Sequence, residues 1–393
     1  MPMAADDATP ERLRAEVDQW VREHRPDVLD DDTAPAWFAA LGERGYTVAH
    51  WPREHGGLGY TEEQAAVVRS VLAEHGLGLP DSYFVPLMLI GPALITWGTP
   101  EQQRRYLPGI VRGADMWCQL FSEPGAGSDL ASLATRAVAD GDGWKVNGQK
   151  VWSSFASESR YGMLLARTDP DRPKNAGITC FLVDMTLPGV TVRPLRQLTG
   201  EEHFCEVFLD DVRLGPETVL GPVNDGWRVA MTTLNAERAG LSETSGASGV
   251  PLDPVLRLAR ERGRWAEAAV RERLAELIAV ERALALTNRR SAAESTGLGG
   301  SPADSITKLV LSELSQQITE LGFELAGAPA AYWDEAAGEP IPAETYALLD
   351  SRRFTIAGGT SEVQRNIVGE RVLGLDREFD PGRGKPWREL RRS

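Results

Sequence analysis

The order of elements along this 393-residue chain predicts an α+β fold: helical at the start, strand-rich in the middle and helical at the end. Three observations carry this. Residues 8–113 place apolar side chains at helical spacing between helix-start signals. From Met116 to about Val219, short β-branched and aromatic runs alternate with Asp, Pro and Gly clusters. After Gly226, long helical stripes return. The domains read as 1–115, 116–222 and 223–393, an N-terminal helical domain, a middle antiparallel β domain and a C-terminal helical domain.

In the first domain, Leu13, Val17 and Trp20 recur on one face of a helix. Trp51–Gly59 is a loop dense in breakers, and Thr61 caps a helix running through Leu72. Thr99-Pro100-Glu101 starts another, with proline at the first helical position. In the middle domain, Asn147-Gly148 between two short runs reads as a hairpin turn. Tyr161–Arg167, Ile178–Asp184, Val190–Pro194 and Phe204–Val212 are strand candidates. The last domain offers helices at Trp227–Ala236, Val270–Leu286, Ala303–Leu325 and Glu362–Leu373, with a break at Ser242–Pro251. The basic tail past Arg377, bearing Pro and Gly, is expected to be poorly ordered.

A net charge of −15 argues against nucleic acid or an anionic membrane as partner, because phosphate binding needs clustered cations. Cys118, Cys180 and Cys205 are too few and too scattered for a disulfide framework or a zinc site, and read as buried free thiols. The acidic start lacks a signal-peptide apolar core, and no apolar run reaches the ~20 residues of a membrane span. The expected location is cytoplasmic.

The segment Phe121-Ser122-Glu123-Pro124-Gly125-Ala126-Gly127-Ser128-Asp129 cannot be regular helix or strand. Its backbone N–H groups and hydroxyls suit a ligand rich in acceptors. Trp152-Ser153-Ser154 follows after an NGQK run. This order resembles the acyl-CoA dehydrogenase family, and the likeness extends to GTPEQQRRYLPGIVRG and the closing GGTSEVQRNIVGERVLGL. The resemblance implies a C-terminal four-helix bundle, FAD as cofactor, an acyl thioester of CoA or of a carrier protein as substrate, and an electron-transfer flavoprotein as electron acceptor. It also implies a tetramer whose FAD sites are shared between subunits.

By the same resemblance, Phe121, Ser122, Trp152 and Ser154 would hold the flavin ring, and Ser128 would lie near the pantetheine or pyrophosphate. Arg262-Gly263-Arg264-Trp265-Ala266 is similar to a pyrophosphate-binding R-x-x-F-G pattern, with Ala266 in place of glycine and either arginine able to pair with phosphate. Arg273 stands where a glutamine is the family residue. Leu325 to Gly327 resembles an adenosine-contacting turn, with Ala328 replacing its second glycine. Thr360 and Glu362 follow the family's G-T-S-E pattern at the cofactor. Arg238 and Gly359 are implied at the substrate.

The implied reaction removes an α-proton and transfers the β-hydrogen, so it requires a carboxylate base and a polarised thioester carbonyl. Many members place that base in Tyr-Glu-Gly-Thr, but this chain reads Ala357-Gly358-Gly359-Thr360, and glycine abstracts no proton. Isovaleryl-type and long-chain-type members carry the glutamate on an earlier helix, directly before an arginine. Asn235-Ala236-Glu237-Arg238 matches that place, which assigns Glu237 as base and leaves Gly358 to offer a backbone N–H to the carbonyl. Two rivals stand beside this reading: a flavin-dependent monooxygenase, which has no need of Glu237, and a non-catalytic subunit of a hetero-oligomer.

Overall fold

Leu13, Val17, Trp20 and Val21 recur at helical spacing, and in a computed structural model of the chain they are the buried stripe of α1 (Pro10–His24). The structure describes residues 2–5, 9–30, 32–243, 249–294, 304–334 and 338–390, without the side chains of 237–243, 292–294 and 304. Residues 244–248, half of the break expected at Ser242–Pro251, lie outside the described residues. The chain forms two compact units. One comprises Met1–Leu195, His203–Thr233 and Gly382–Ser393, the other Arg196–Glu202 and Leu234–Pro381.

The first unit opens with α1, α2 (Ala34–Arg44), α3 (Glu62–Glu74), α4 (Gly91–Trp97) and α5 (Pro100–Val111). Reciprocal capping boxes, Thr61 with Gln64 and Thr99 with Gln102, satisfy the first N–H groups of α3 and α5. Leu13, Val17, Trp37, Leu41, Val68 and Leu72 fill the core between α1, α2 and α3.

The sheet follows: β1 (Trp117–Leu120), β2 (Arg136–Asp140), β3 (Gly143–Ser154), β4 (Tyr161–Arg167), β5 (Ile178–Asp184), β6 (Val190–Leu195), β7 (Phe204–Leu214) and β8 (Val219–Leu220). Its order is β6-β7-β3-β2-β4-β5-β8, with β1 also beside β4. The sheet is mixed rather than purely antiparallel, because β1 and β2 both run parallel to β4. They share one edge of it: Leu120 sits opposite Leu164, and Arg136 opposite Arg167. The intervening segment, Phe121 to Thr135, therefore leaves the sheet through the gap and returns to the same edge. That excursion is what places the glycine loop. Cys118, Cys180 and Cys205 are all buried and unpaired.

Asn147-Gly148 is not the hairpin turn. β3 runs through it, and the turn joining β2 to β3 lies at 141–142. The register against β7 slips between Val146 and Gly148. Asn147 fastens that slip, donating Nδ2–H to Asp211 Oδ1 (2.9 Å) and accepting the Asp211 N–H (3.0 Å). Glycine is required at 148 because a Cβ there would lie 2.7 Å from Thr135 Cα.

Helix α6 (Gly226–Glu243) crosses from the first unit into the second. The second unit continues with α7 (Asp253–Glu261), α8 (Ala268–Glu294), α9 (Asp304–Ala326), α10 (Ala343–Asp350) and α11 (Ser361–Ile367), the last running into a π-helical turn at Val368–Val372. α9 is the hub against which α7, α8, α10 and α11 pack. Val255, Leu274, Leu277, Leu314, Ile318 and Leu321 form its core. The tail is also placed, against expectation: residues 382–390 belong to the first unit, where Trp387 is buried. The tail is held because its indole covers the Arg167 guanidinium at 4.7 Å.

Candidate functional site

Three backbone and side-chain anchors hold the Phe121–Asp129 loop. Glu123 and Ala126 exchange backbone hydrogen bonds (3.1 and 3.0 Å), closing the turn around Pro124-Gly125. The Ser122 carbonyl accepts the Val151 N–H (3.0 Å), tying the loop to β3. Beneath it lies a buried charge pair: Lys150 Nζ donates to Glu123 Oε1 (2.8 Å) and to the Phe121 carbonyl (3.0 Å). The Glu123 carboxylate also accepts the N–H groups of Ala134 (2.6 Å) and Thr135 (2.9 Å), where the excursion rejoins the sheet.

Burial opposes ionisation of Glu123, but the Lys150 charge and the donors from Lys150, Thr135 and Ala134 outweigh it and hold the carboxyl below its ordinary value. Burial also pulls the fully enclosed Lys150 ammonium down, with Glu123 opposing. Neither residue is among the expected site residues. The available signal was an acid inside FSEPG and a lysine closing NGQK, both within the quoted segments. Phe121 is buried, Ser122 half-buried and Ser128 exposed.

Trp152 is 61 % exposed on a backbone with φ +60°, and Phe155 follows at φ +56°. Non-glycine residues rarely hold that conformation, which costs on the order of 1 kcal/mol or more each. The strain accompanies a register slip between Lys150 and Ser153 against β7, and the bulge leaves the indole facing solvent. Phe204 meets the Trp152 ring edge-on at 6.2 Å, and His203 stacks on Phe155 at 5.5 Å. Ser154 is half-buried, while its neighbour Ser153 is fully buried with a hydroxyl that has no partner among the described residues. On β1, the buried Gln119 amide nitrogen likewise lacks an acceptor among the described residues. Buried orphan donors are uncommon and fit a ligand that brings acceptors of its own.

The second unit holds the remaining expected residues. Gly358 (φ +65°) and Gly359 (φ +94°) make a left-handed turn that leads to Thr360, the N-cap of α11. A Cβ on Gly359 would lie 2.6 Å from Gln364 Nε2. Gln364 Nε2 donates to the Gly358 carbonyl (2.9 Å), and the buried Lys308 Nζ donates to those of Gly359 (2.6 Å) and Phe354 (2.9 Å). Because C=O and N–H point oppositely in a trans peptide, the N–H groups of Gly359 and Thr360 face away from Gln364 and Lys308. The Thr360 hydroxyl accepts the Val363 N–H (3.3 Å). Glu362 is held below the usual carboxylate range by its own backbone N–H and by Thr360.

Glu237 and Arg238 lie on α6, but their side chains are outside the described residues. Arg262 ends α7 and makes no ion pair among the described residues. Arg264 is committed to Glu267, and Arg273 to Glu324. Trp265 is partly exposed, with the Arg260 guanidinium 4.5 Å from its ring centre. The Leu325 side chain is buried in the core around α9, which leaves only its backbone to meet a ligand. Gly327 ends α9 at φ +69°.

Three family profiles match the chain: "Acyl-CoA dehydrogenase, N-terminal domain" over residues 6–114, the "middle domain" over 118–212 and the "C-terminal domain" over 224–373. Acyl-CoA dehydrogenase FadE34 of Mycobacterium tuberculosis is 42% identical over 344 residues, which cover 86% of this chain and 46% of that protein. The chain thus spans about half the length of that relative. Acyl-CoA dehydrogenase IpdE1 of the same organism is 41% identical over 350 residues, covering 87% and 88% of the two chains. Among solved structures, the Tcur3481-Tcur3483 steroid ACAD superposes with a TM-score of 0.80 at 29% identity, over 94% of this chain and 98% of that one. The ChsE4-ChsE5 complex from Mycobacterium tuberculosis does so at 0.75 and 29%, over 94% and 98%.

Proposed function

The chain belongs to the acyl-CoA dehydrogenase family, and we propose that it performs FAD-dependent α,β-dehydrogenation of an acyl thioester, giving the trans-2-enoyl thioester. The observation that carries this reading is the Phe121–Asp129 loop, anchored on the buried Lys150–Glu123 pair beside the strained, exposed Trp152. The orphan donors of Gln119 and Ser153 agree with an acceptor-rich ring system there. Phe121, Ser122, Trp152 and Ser154 would hold the flavin ring, and Thr360 and Glu362 other parts of the cofactor. Bound FAD would supply the hydride acceptor for the β-hydrogen. Glu237 takes the α-proton, and the Gly358 N–H donates to the thioester carbonyl. The reduced enzyme passes its electrons to an electron-transfer flavoprotein.

The substrate is read as a bulky acyl-CoA. Support comes from a structural relative named a steroid ACAD. The oligomer is read as a tetramer. A heteromeric assembly is the second reading, favoured by the likeness to a relative solved as a complex of two proteins. The functional test is anaerobic titration of the flavin-loaded protein with a panel of acyl thioesters. Bleaching of the flavin by an acyl-CoA is expected. Substrate-stimulated consumption of NAD(P)H or oxygen, without bleaching, would replace the reading with a monooxygenase.

Arg262 is the arginine proposed to meet the FAD pyrophosphate, because Arg264 is already paired with Glu267. Arg262→Ala is expected to weaken FAD binding about tenfold, and Arg264→Ala by less than about threefold. Fluorescence titration of the flavin-stripped protein reads both, and the reverse order would reassign the contact.

A further inference from the structure

The C-terminal tail reaches the candidate cofactor loop through one buried arginine. Trp387 N–H donates to the Arg172 carbonyl (2.8 Å), Arg388 N–H to that of Pro170 (3.1 Å), and Pro386 forms a β-bridge with Pro173. Arg388 also pairs with Asp171 at 2.8 Å. The Trp387 indole lies over Arg167 and donates Nε1–H to the Ser132 carbonyl (3.2 Å).

Arg167 is 2 % exposed and makes no ion pair among the described residues. Its Nη2 donates to the carbonyls of Ala131 (2.7 Å) and Leu133 (3.2 Å), and its Nη1 to that of Lys174 (2.6 Å), while Nε has no acceptor among the described residues. Burial pulls Arg167 down to about 10, with Glu123 and Asp169 opposing. A desolvated guanidinium with an unused donor gains most from an aromatic face, since that attraction grows as water is excluded. The stretch from Ala131 to Thr135 is thus held on two sides, its carbonyls by Arg167 and its last N–H groups by the Glu123 carboxylate that anchors the loop.

We propose that Trp387 is a positioning residue for the cofactor loop: it covers Arg167 and keeps the guanidinium on the carbonyls of Ala131 and Leu133. The loop's cofactor role rests on the function proposed above; the packing does not. Removing the indole admits water to Arg167, loosens its hold on residues 131–135, and so frees the far end of the Phe121–Asp129 loop.

The test compares the full-length protein with Trp387→Ala, with Trp387→Phe and with a chain ending at Pro381. Trp387→Ala and the truncation are expected to weaken FAD binding about tenfold, and to shift the visible absorption of the bound flavin. Amide hydrogen exchange across residues 121–135 is expected to quicken in both, with or without flavin. Trp387→Phe keeps a ring over Arg167 and is expected to restore FAD affinity to within about threefold of the parent. Unchanged exchange at 121–135 in Trp387→Ala would overturn the proposal, as would a lower Tm with unchanged flavin affinity and spectrum. If the parent protein binds no FAD, the function reading fails. The exchange comparison between the parent and Trp387→Ala then still decides for or against the clamp.

Discussion

Replacing Glu237 by glutamine is expected to slow flavin reduction by an acyl-CoA by about 10²–10⁴-fold, the range lost when a positioned general base is removed. Substrate affinity is expected to change little, because the amide preserves size and hydrogen-bonding capacity. Glu237 is proposed because Glu237-Arg238 resembles the glutamate–arginine pair of isovaleryl-type and long-chain-type members. The turn before α11 offers glycine at both 358 and 359, and its left-handed backbone disfavours a side chain at either. Its contribution to chemistry is therefore limited to peptide groups, and the proposed dehydrogenation needs a carboxylate from elsewhere in the chain. Glu237 lies on α6, directly before Arg238. Stopped-flow reduction of the variant, with binding followed separately by the perturbation of the flavin spectrum, reads the two effects apart. A Gln variant reduced at the parent rate would remove Glu237 from the mechanism.

Breaking the buried pair beneath the loop is expected to have the largest effect on stability. Lys150→Met leaves Glu123 enclosed with no countercharge, and the expected loss is about 3–5 kcal/mol, the usual consequence of removing one partner of a buried pair. For a unit of this size that lowers Tm by on the order of 10 °C. Glu123→Gln is expected to cost less, since a neutral oxygen still accepts from Lys150. The double variant is expected to be more stable than Lys150→Met alone, because no unpaired charge remains.

The pair also sets a pH dependence. The Glu123 carboxyl has a depressed value in the folded state, so its contribution is complete above the unfolded value near 4.5 and is lost as acidification passes through the folded value. Urea unfolding between pH 3 and 6 is expected to show an acid limb in the parent that is shallower in Glu123→Gln. All three variants unfolding within about 0.5 kcal/mol of the parent would show that the pair is not what holds the loop.

Much of the architecture was legible in the sequence for local reasons. The capped starts of α3 and α5 hold because Thr61 and Thr99 satisfy the first N–H groups of their own helices. The strands Tyr161–Arg167 and Ile178–Asp184 match their runs end to end, since clusters of turn residues bound them on both sides. Asn147-Gly148 misled because the dipeptide that favours a turn also suits a bulge. Only β2 and β7, flanking β3 on either side, decided between the two. The parallel pairing of β1 and β2 with β4 was equally hidden, because strand direction depends on where a long excursion returns. The tail's place against Arg167 joins residues more than 200 positions apart in sequence, which no local pattern encodes.

By itself the sequence determined the helix–sheet–helix order, the loop with its Trp152 segment, and the glycine at 358 where many members of the family carry a glutamate. Each of these is a matter of residue identity or nearest-neighbour spacing. The tertiary structure alone decided that Lys150 and Glu123 pair beneath that loop, that Arg167 holds the carbonyls of Ala131 and Leu133 just after it, and that Trp387 covers Arg167. Those contacts arise only when distant segments leave water together, and buried charge then requires the partners that folding brings within reach.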